Sequence, residues 1–150
     1  LEELKKRSPV AKLVAHKDEV PRLQQSTLNL SWFLNKPIKV EVPEIILGDE
    51  TAIELGEWHF NAYHIPGHSP GGTAYYFKGI VNQSLLFPGD ILFSGSIGRT
   101  DFPDGCYETL IAGIKTHLLT LPHETIVYPG HGPSTTIGDE IAENPFLQGL

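Results

Sequence analysis

The sequence predicts a single mixed α/β domain over residues 1–150, on three observations. Short apolar segments with two-residue alternation recur between Ile38 and Phe87 and again at Thr125–Tyr128, the period of half-buried strands. Leu110, Ile111, Ile114 and Leu118 have the spacing of one face of a helix. Three apolar segments then run into turns rich in glycine and proline, each carrying one histidine or aspartate: Pro66-Gly67-His68, Gly89-Asp90 and Gly130-His131. Placing such residues on turns at strand ends lets positions far apart in sequence meet.

Taken in order, Leu1 to Arg7 predicts a helix closed by Pro9. Ala11 to His16 reads as a short strand, and Asp18 as the cap of a helix running to about Gln25. In Ser26–Lys36, Leu28, Leu30, Trp32 and Leu34 alternate, but Pro37 and the polar neighbours favour an extended or irregular crossing. Strands predominate from Ile38 to Phe77. Val40 and Val42 alternate, Ile45-Ile46-Leu47 leads to a turn at Gly48-Asp49, and Thr51–Leu55 precedes a turn at Gly56. Trp58, Phe60 and Ala62 alternate with His59, Asn61 and Tyr63, a half-buried strand aimed at the His68 loop. Thr73–Phe77 and Ser84–Phe87 continue the sheet, the second delivering Asp90. Phe93–Gly105 holds too many glycines and turn formers for regular structure and is expected to be a substrate-contacting loop. A helix over Glu108–Leu119, a strand at Thr125–Tyr128 and a short helix stopped near Pro145 complete the chain.

Composition narrows the function classes. The content of 40% apolar and 19% charged residues is that of a globular protein, and the formal charge of −7 argues against a nucleic-acid or anionic-membrane surface. A lone cysteine, Cys106, excludes an internal disulfide framework and is read as a loop or packing residue. No apolar run reaches membrane-spanning length and no leader is evident. A cytoplasmic protein acting on a small molecule is the resulting expectation. The chain opens within a helical pattern and contains no methionine, which suggests a piece of a longer protein.

His68, Asp90 and His131 are the candidate metal ligands. Neutral imidazole and carboxylate suit zinc, with iron or manganese as alternatives, rather than a thiolate-seeking ion. A carboxylate can bridge two cations about 3.5–4 Å apart, leaving one imidazole for each. An isolated Gly-His-Gly would be read as a turn with an incidental histidine; the three segments together, in this order, favour a site. His16, His59, His117 and His123 are read as structural, and His64 as packing or as support for His68. Arg99 could meet an anionic substrate or fix its loop through Asp101 or a backbone carbonyl.

The run Pro66-Gly67-His68-Ser69-Pro70-Gly71-Gly72, then Phe87-Pro88-Gly89-Asp90, then Tyr128-Pro129-Gly130-His131-Gly132-Pro133 resembles the metallo-β-lactamase superfamily. The stretch Ser94–Pro103 and the tail Asn144-Pro145-Phe146-Leu147 are similar to its compact, glyoxalase II-like (hydroxyacylglutathione hydrolase-like) hydrolases. The resemblance implies an αββα sandwich, of which this chain looks like roughly the C-terminal two-thirds to three-quarters. It also implies two zinc ions, with His68 on one, His131 on the other and Asp90 bridging as the catalytic carboxylate. Thioester hydrolysis by a metal-bound hydroxide, with a glutathione thioester as substrate, follows from the same likeness.

In the family the remaining ligands come from a His-x-His-x-Asp-His segment, a motif absent from these 150 residues. The chain alone is therefore expected to bind metal poorly and to be catalytically weak. Two other readings stand beside the hydrolase. One is an iron-dependent persulfide dioxygenase, whose Gly-Arg-Thr-Asp loop Gly98–Asp101 resembles. The other is a non-catalytic binding module lacking half of the metal ligands.

Overall fold

The computed structural model describes residues 2–79 and 83–149. The chain divides into two compact units, residues 1–47 and 48–150, described in turn.

The first unit begins with helix α1 (Glu2–Arg7); the expected start at Leu1 lies outside the described residues. Strand β1 (Val14–His16) pairs in parallel with β2 (Ile45–Leu47). A short 3-10 turn, Lys17–Glu19, and helix α2 (Val20–Gln24) lie between them. The cap of the 3-10 turn is not Asp18: the Nδ1 of His16 accepts from the Asp18 backbone N–H at 3.3 Å. His16 precedes the turn and its ring can reach back over an orphan amide, whereas Asp18 lies inside the turn and carries that amide itself. Val40 and Val42 form no strand. Pro37 and Pro43 flank them and supply no N–H for a ladder, so alternation alone builds nothing there. The segment is fixed by side chains instead. Asn29 donates to the carbonyls of Arg22 (2.9 Å) and Ile38 (3.0 Å), and Ser31 Oγ accepts from the Ile38 N–H at 2.8 Å. Lys5 reaches Glu44 at 2.6 Å, and Glu44 also accepts from the Leu13 N–H at 2.7 Å. Those two donors hold the Glu44 carboxyl down to about 2, with Lys5 the larger cause.

The second unit is a six-stranded mixed sheet of order β10-β9-β6-β5-β4-β3. Its members are β3 (Glu50–Leu55), β4 (Trp58–His64), β5 (Thr73–Phe77), β6 (Leu85–Gly89), β9 (Ile126–Pro129) and β10 (Thr135–Thr136). Strands β3 to β6 pair antiparallel in sequence order, β6 and β9 pair parallel, and β9 and β10 pair antiparallel. The expected loop after Asp90 is not structureless. Leu92–Phe93 (β7) and Ser96–Ile97 (β8) form a tight hairpin within it, too short to leave an alternating signature. Helix α3 (Tyr107–Gly113) runs on as a π-helical stretch, Ile114–Leu118, and α4 (Ile137–Glu143) closes the unit.

Register explains the core. Tyr76 faces Leu86 across β5–β6 and Leu86 faces Val127 across β6–β9, so the three side chains share one face of the sheet. Leu110, Ile111, Ile114 and Leu118 join them in one buried cluster. The expected helical stripe is thus the layer covering the sheet, its period loosened where the π stretch begins. Tyr76 and Phe77 are buried, and the Tyr76 hydroxyl donates to Ser84 Oγ at 3.1 Å.

Candidate metal centre

Strands β4, β6 and β9 run in the same direction, because β4 and β6 both lie antiparallel to β5 and β9 lies parallel to β6. Their C-terminal ends fall on one edge of the sheet. The three segments that follow those ends carry His68, Asp90 and His131.

The His68 loop closes on itself through Ile65 N–H to the Gly72 carbonyl (2.8 Å), and the Gly67 carbonyl accepts from the Cys106 N–H at 2.9 Å. Gly67 sits at φ 129, and a Cβ there would come within 2.5 Å of the Cys106 carbonyl and 2.7 Å of Leu110. Only glycine meets both demands. His64 braces the same loop, its Nε2 donating to the Pro70 carbonyl at 2.8 Å. This is the supporting role open to it in the sequence.

His68 lies with its Nδ1 3.0 Å from the Arg99 carbonyl oxygen. A carbonyl can only accept, so Nδ1 carries the proton and the lone pair is on Nε2. That Nε2 stands 3.7 Å from Asp90 Oδ2. The other carboxylate oxygen lies over Gly130, where a Cβ would come within 2.2 Å of Oδ1. The two oxygens of Asp90 therefore point at two different loops. Gly130 is tied to the Asp90 strand by its N–H, which donates to the Gly89 carbonyl at 2.8 Å.

His131 lines the same cavity of about 420 Å³ as His68 and Asp90, together with Phe93, Ser94, Ser96, Ile97 and Pro133. Its ring stacks on Phe93 with centroids 4.4 Å apart. All three expected site residues thus converge on one cavity. Phe93 carried no signal beyond its place in the glycine-rich loop. Arg99 takes the loop-fixing role: its guanidinium makes two bonds to Asp101, at 2.7 and 2.6 Å, and covers the Phe102 ring at 4.1 Å. Arg99 in turn draws the exposed Asp101 carboxyl down to about 2. Cys106 is exposed and caps nothing through its side chain.

Two neutral imidazoles and a carboxylate are a donor set for a hard or borderline divalent cation. The fit is more than compositional. The His68 tautomer is fixed by a backbone carbonyl, as metal-bound histidines normally are, and the room that Gly130 leaves is filled by an Asp90 oxygen.

A mixed sheet covered by helices, with such a donor set gathered at one edge, defines a class of protein whose chemistry is assembled on loops. Residues 1–131 match the family model of the metallo-β-lactamase superfamily, and the chain belongs to that superfamily. It is 38% identical over 136 residues to the probable metallo-hydrolase YqgX of Bacillus subtilis, covering 90% of this chain and 63% of that protein. It is 47% identical over 95 residues to the hydroxyacylglutathione hydrolase GloC of Haemophilus influenzae, covering 63% of this chain and 43% of the relative. The chain thus spans less than two thirds of the length of these curated relatives.

Among solved structures, the BLEG-1 B3 metallo-β-lactamase superposes with a TM-score of 0.89 at 40% identity, over 98% of this chain and 69% of that one. TTHA1623 in a di-iron-bound form gives 0.79 at 36% identity, over 97% and 69%. The expected metallo-β-lactamase fold is the fold of this chain. Among the described residues no helix is long and apolar enough to cross a membrane.

Proposed function

We propose that His68, Asp90 and His131 hold divalent cations in a site that hydrolyses a thioester of a small thiol. The observation that carries this reading is the orientation of His68, whose protonated Nδ1 is anchored so that the Nε2 lone pair faces Asp90. His68 would serve one ion, His131 a second, and Asp90, with its oxygens turned to separate loops, would bridge. Zinc is the first candidate by donor chemistry; iron is supported by the di-iron neighbour. When bound, the cations would polarise a carbonyl and make water a competent nucleophile near neutral pH.

The chain's own residues do the rest. Phe93, Ile97 and Pro133 give the cavity an apolar wall for an acyl group, and Ser94 and Ser96 supply hydroxyls at its rim. Because the nucleophile is water, neither a serine nor Cys106 is needed in that role. The relative named hydroxyacylglutathione hydrolase supports glutathione as the thiol.

The test is turnover of a hydroxyacylglutathione by the full-length protein reconstituted in turn with zinc, iron and manganese, beside Asp90→Asn. Turnover in the parent and its loss in the variant is the expected result. No turnover with any of the three metals would remove the thioester reading. A second reading, persulfide oxidation at a single iron, is favoured by the Gly98–Asp101 loop. Oxygen consumption by the iron form in place of thioester cleavage would select it.

A further inference from the structure

Helix α4, which precedes the tail Asn144-Pro145-Phe146-Leu147, holds an acidic side chain where water cannot reach. Glu140 is 2% exposed and Asn144 0%. A carboxylate buried to that degree is costly unless its oxygens are fully bonded. These are. The Gly95 N–H donates to both oxygens, at 3.2 and 3.0 Å. Thr135 Oγ1 donates to Oε1 at 2.7 Å, and Asn144 Nδ2 to Oε2 at 2.7 Å. Asn144 Nδ2 also donates to the Ser96 carbonyl at 3.0 Å, while its Oδ1 accepts from the Phe146 N–H at 3.0 Å.

The partners belong to two separate segments. Gly95 and Ser96 lie at the tip of the β7–β8 hairpin, which carries Phe93. Thr135 opens β10, four residues after His131. One buried carboxylate therefore ties together the two segments whose side chains, Phe93 and His131, meet in a stack at 4.4 Å.

We propose that Glu140, with Asn144, is a positioning residue: it sets the spacing of the hairpin and the His131 segment and thereby fixes the His131 ring on Phe93. The proposal rests on the reading of His131 as a metal ligand, but the placement of the ring can be measured without metal. Neither residue touches the cavity; both act through Phe93 and His131.

Two measurements on the full chain test this. The first is the nitrogen-15 and ring-proton shifts of the His131 imidazole in metal-free protein. The second is a cobalt(II) titration read by the visible spectrum. Glu140→Ala is expected to move the His131 ring resonances away from their Phe93-stacked values and to weaken cobalt binding about 10- to 100-fold, the range for partners that orient a metal ligand. Glu140→Gln, which keeps an acceptor oxygen, should fall between. If Glu140→Ala does not fold, Thr135→Val removes one hydroxyl donor and should shift the same resonances the same way by less.

Unchanged His131 shifts in a folded Glu140→Ala or Thr135→Val protein would overturn the proposal. If the parent binds no cobalt yet the shifts move as expected, the positioning inference stands and the metal reading fails. If the parent binds cobalt and the variants bind it equally, the inference fails alone.

Discussion

Replacing Gly130 by alanine should separate the site from the fold. The backbone at Gly130 is not in the left-handed region, so an alanine can adopt it without strain. A Cβ there would stand 2.2 Å from Asp90 Oδ1, 3.2 Å from the Gly89 carbonyl carbon and 3.3 Å from Asp90 Cγ. Restoring ordinary contact with Oδ1 requires that oxygen to retreat by about 1 Å. The half-exposed Asp90 carboxylate gives most of the room, and the Gly89 backbone a few tenths of an ångström. The cost to folding is a rotamer adjustment of about 0.5–1.5 kcal/mol. It is offset by the gain of about 0.4–1 kcal/mol from stiffening the unfolded chain. Tm should therefore move by no more than a few degrees. Ligand distances, in contrast, tolerate only about 0.2 Å, and a misplacement of about 1 Å costs roughly 100-fold, or about 2.7 kcal/mol at 1.36 kcal/mol per decade. Calorimetric zinc titration of the full-length protein, beside thermal unfolding, reads both quantities. Zinc affinity equal to the parent's, with alanine verified at position 130, would refute the placement of Asp90 as a ligand. A collapse of Tm would refute the separation.

Three further outcomes follow from the same structure. Leu86→Ala, at a fully buried position between Tyr76 and Val127, should cost about 2–5 kcal/mol in denaturant unfolding; a loss under 1 kcal/mol would contradict the core as described. The carboxyls of Glu44 and Asp101, both lowered to about 2 by cationic partners, stabilise the fold above their ordinary values of 4.5 and 3.8. Their contribution should fade as pH falls through about 2. Carbon-13 titration should show both midpoints there, and Lys5→Ala should return Glu44 toward the ordinary range. Alkylation of the exposed Cys106 should leave thioester turnover unchanged, since no step uses a protein thiol; complete loss on stoichiometric labelling would assign it a catalytic role.

The sequence was most legible where physical demands were sharpest. His68, Asp90 and His131 stood out because a ligand on a turn needs glycine or proline beside it; Gly67 sits where only glycine fits, and Gly130 leaves the space that an Asp90 oxygen occupies. The large strands and the α3 stripe were legible because their period repeats long enough to be counted. The β7–β8 hairpin was not, since two-residue strands have no period. Val40 and Val42 misled for the converse reason: two alternating residues between prolines cannot recruit a partner strand. Glu140 was invisible because an acid in an amphipathic helix normally faces water. Only its hydrogen-bond partners, remote in sequence, make burial tolerable. The replacement of Asp18 by His16 as a cap shows the same limit, because preference names residue types but not which neighbour reaches the amide first.

The location of the site follows from the connection between β6 and β9. Had β9 been antiparallel to β6, His131 would have left the sheet at the opposite edge, about 17 Å away for a five-residue strand. A parallel partner needs a long crossover, and here that crossover, residues 90–125, has two uses. Its helix lays Leu110, Ile114 and Leu118 on the sheet face, and its loop brings the Arg99 carbonyl to His68 and the Cys106 N–H to Gly67. Core and site are therefore coupled through Gly67, which leaves no room between the His68 loop and Leu110. Displacing α3 should loosen His68 before it unfolds the sheet. Gly67→Ala, which forces both a left-handed alanine and a collision with α3, should lose stability and metal affinity together, whereas Gly130→Ala should lose only the second.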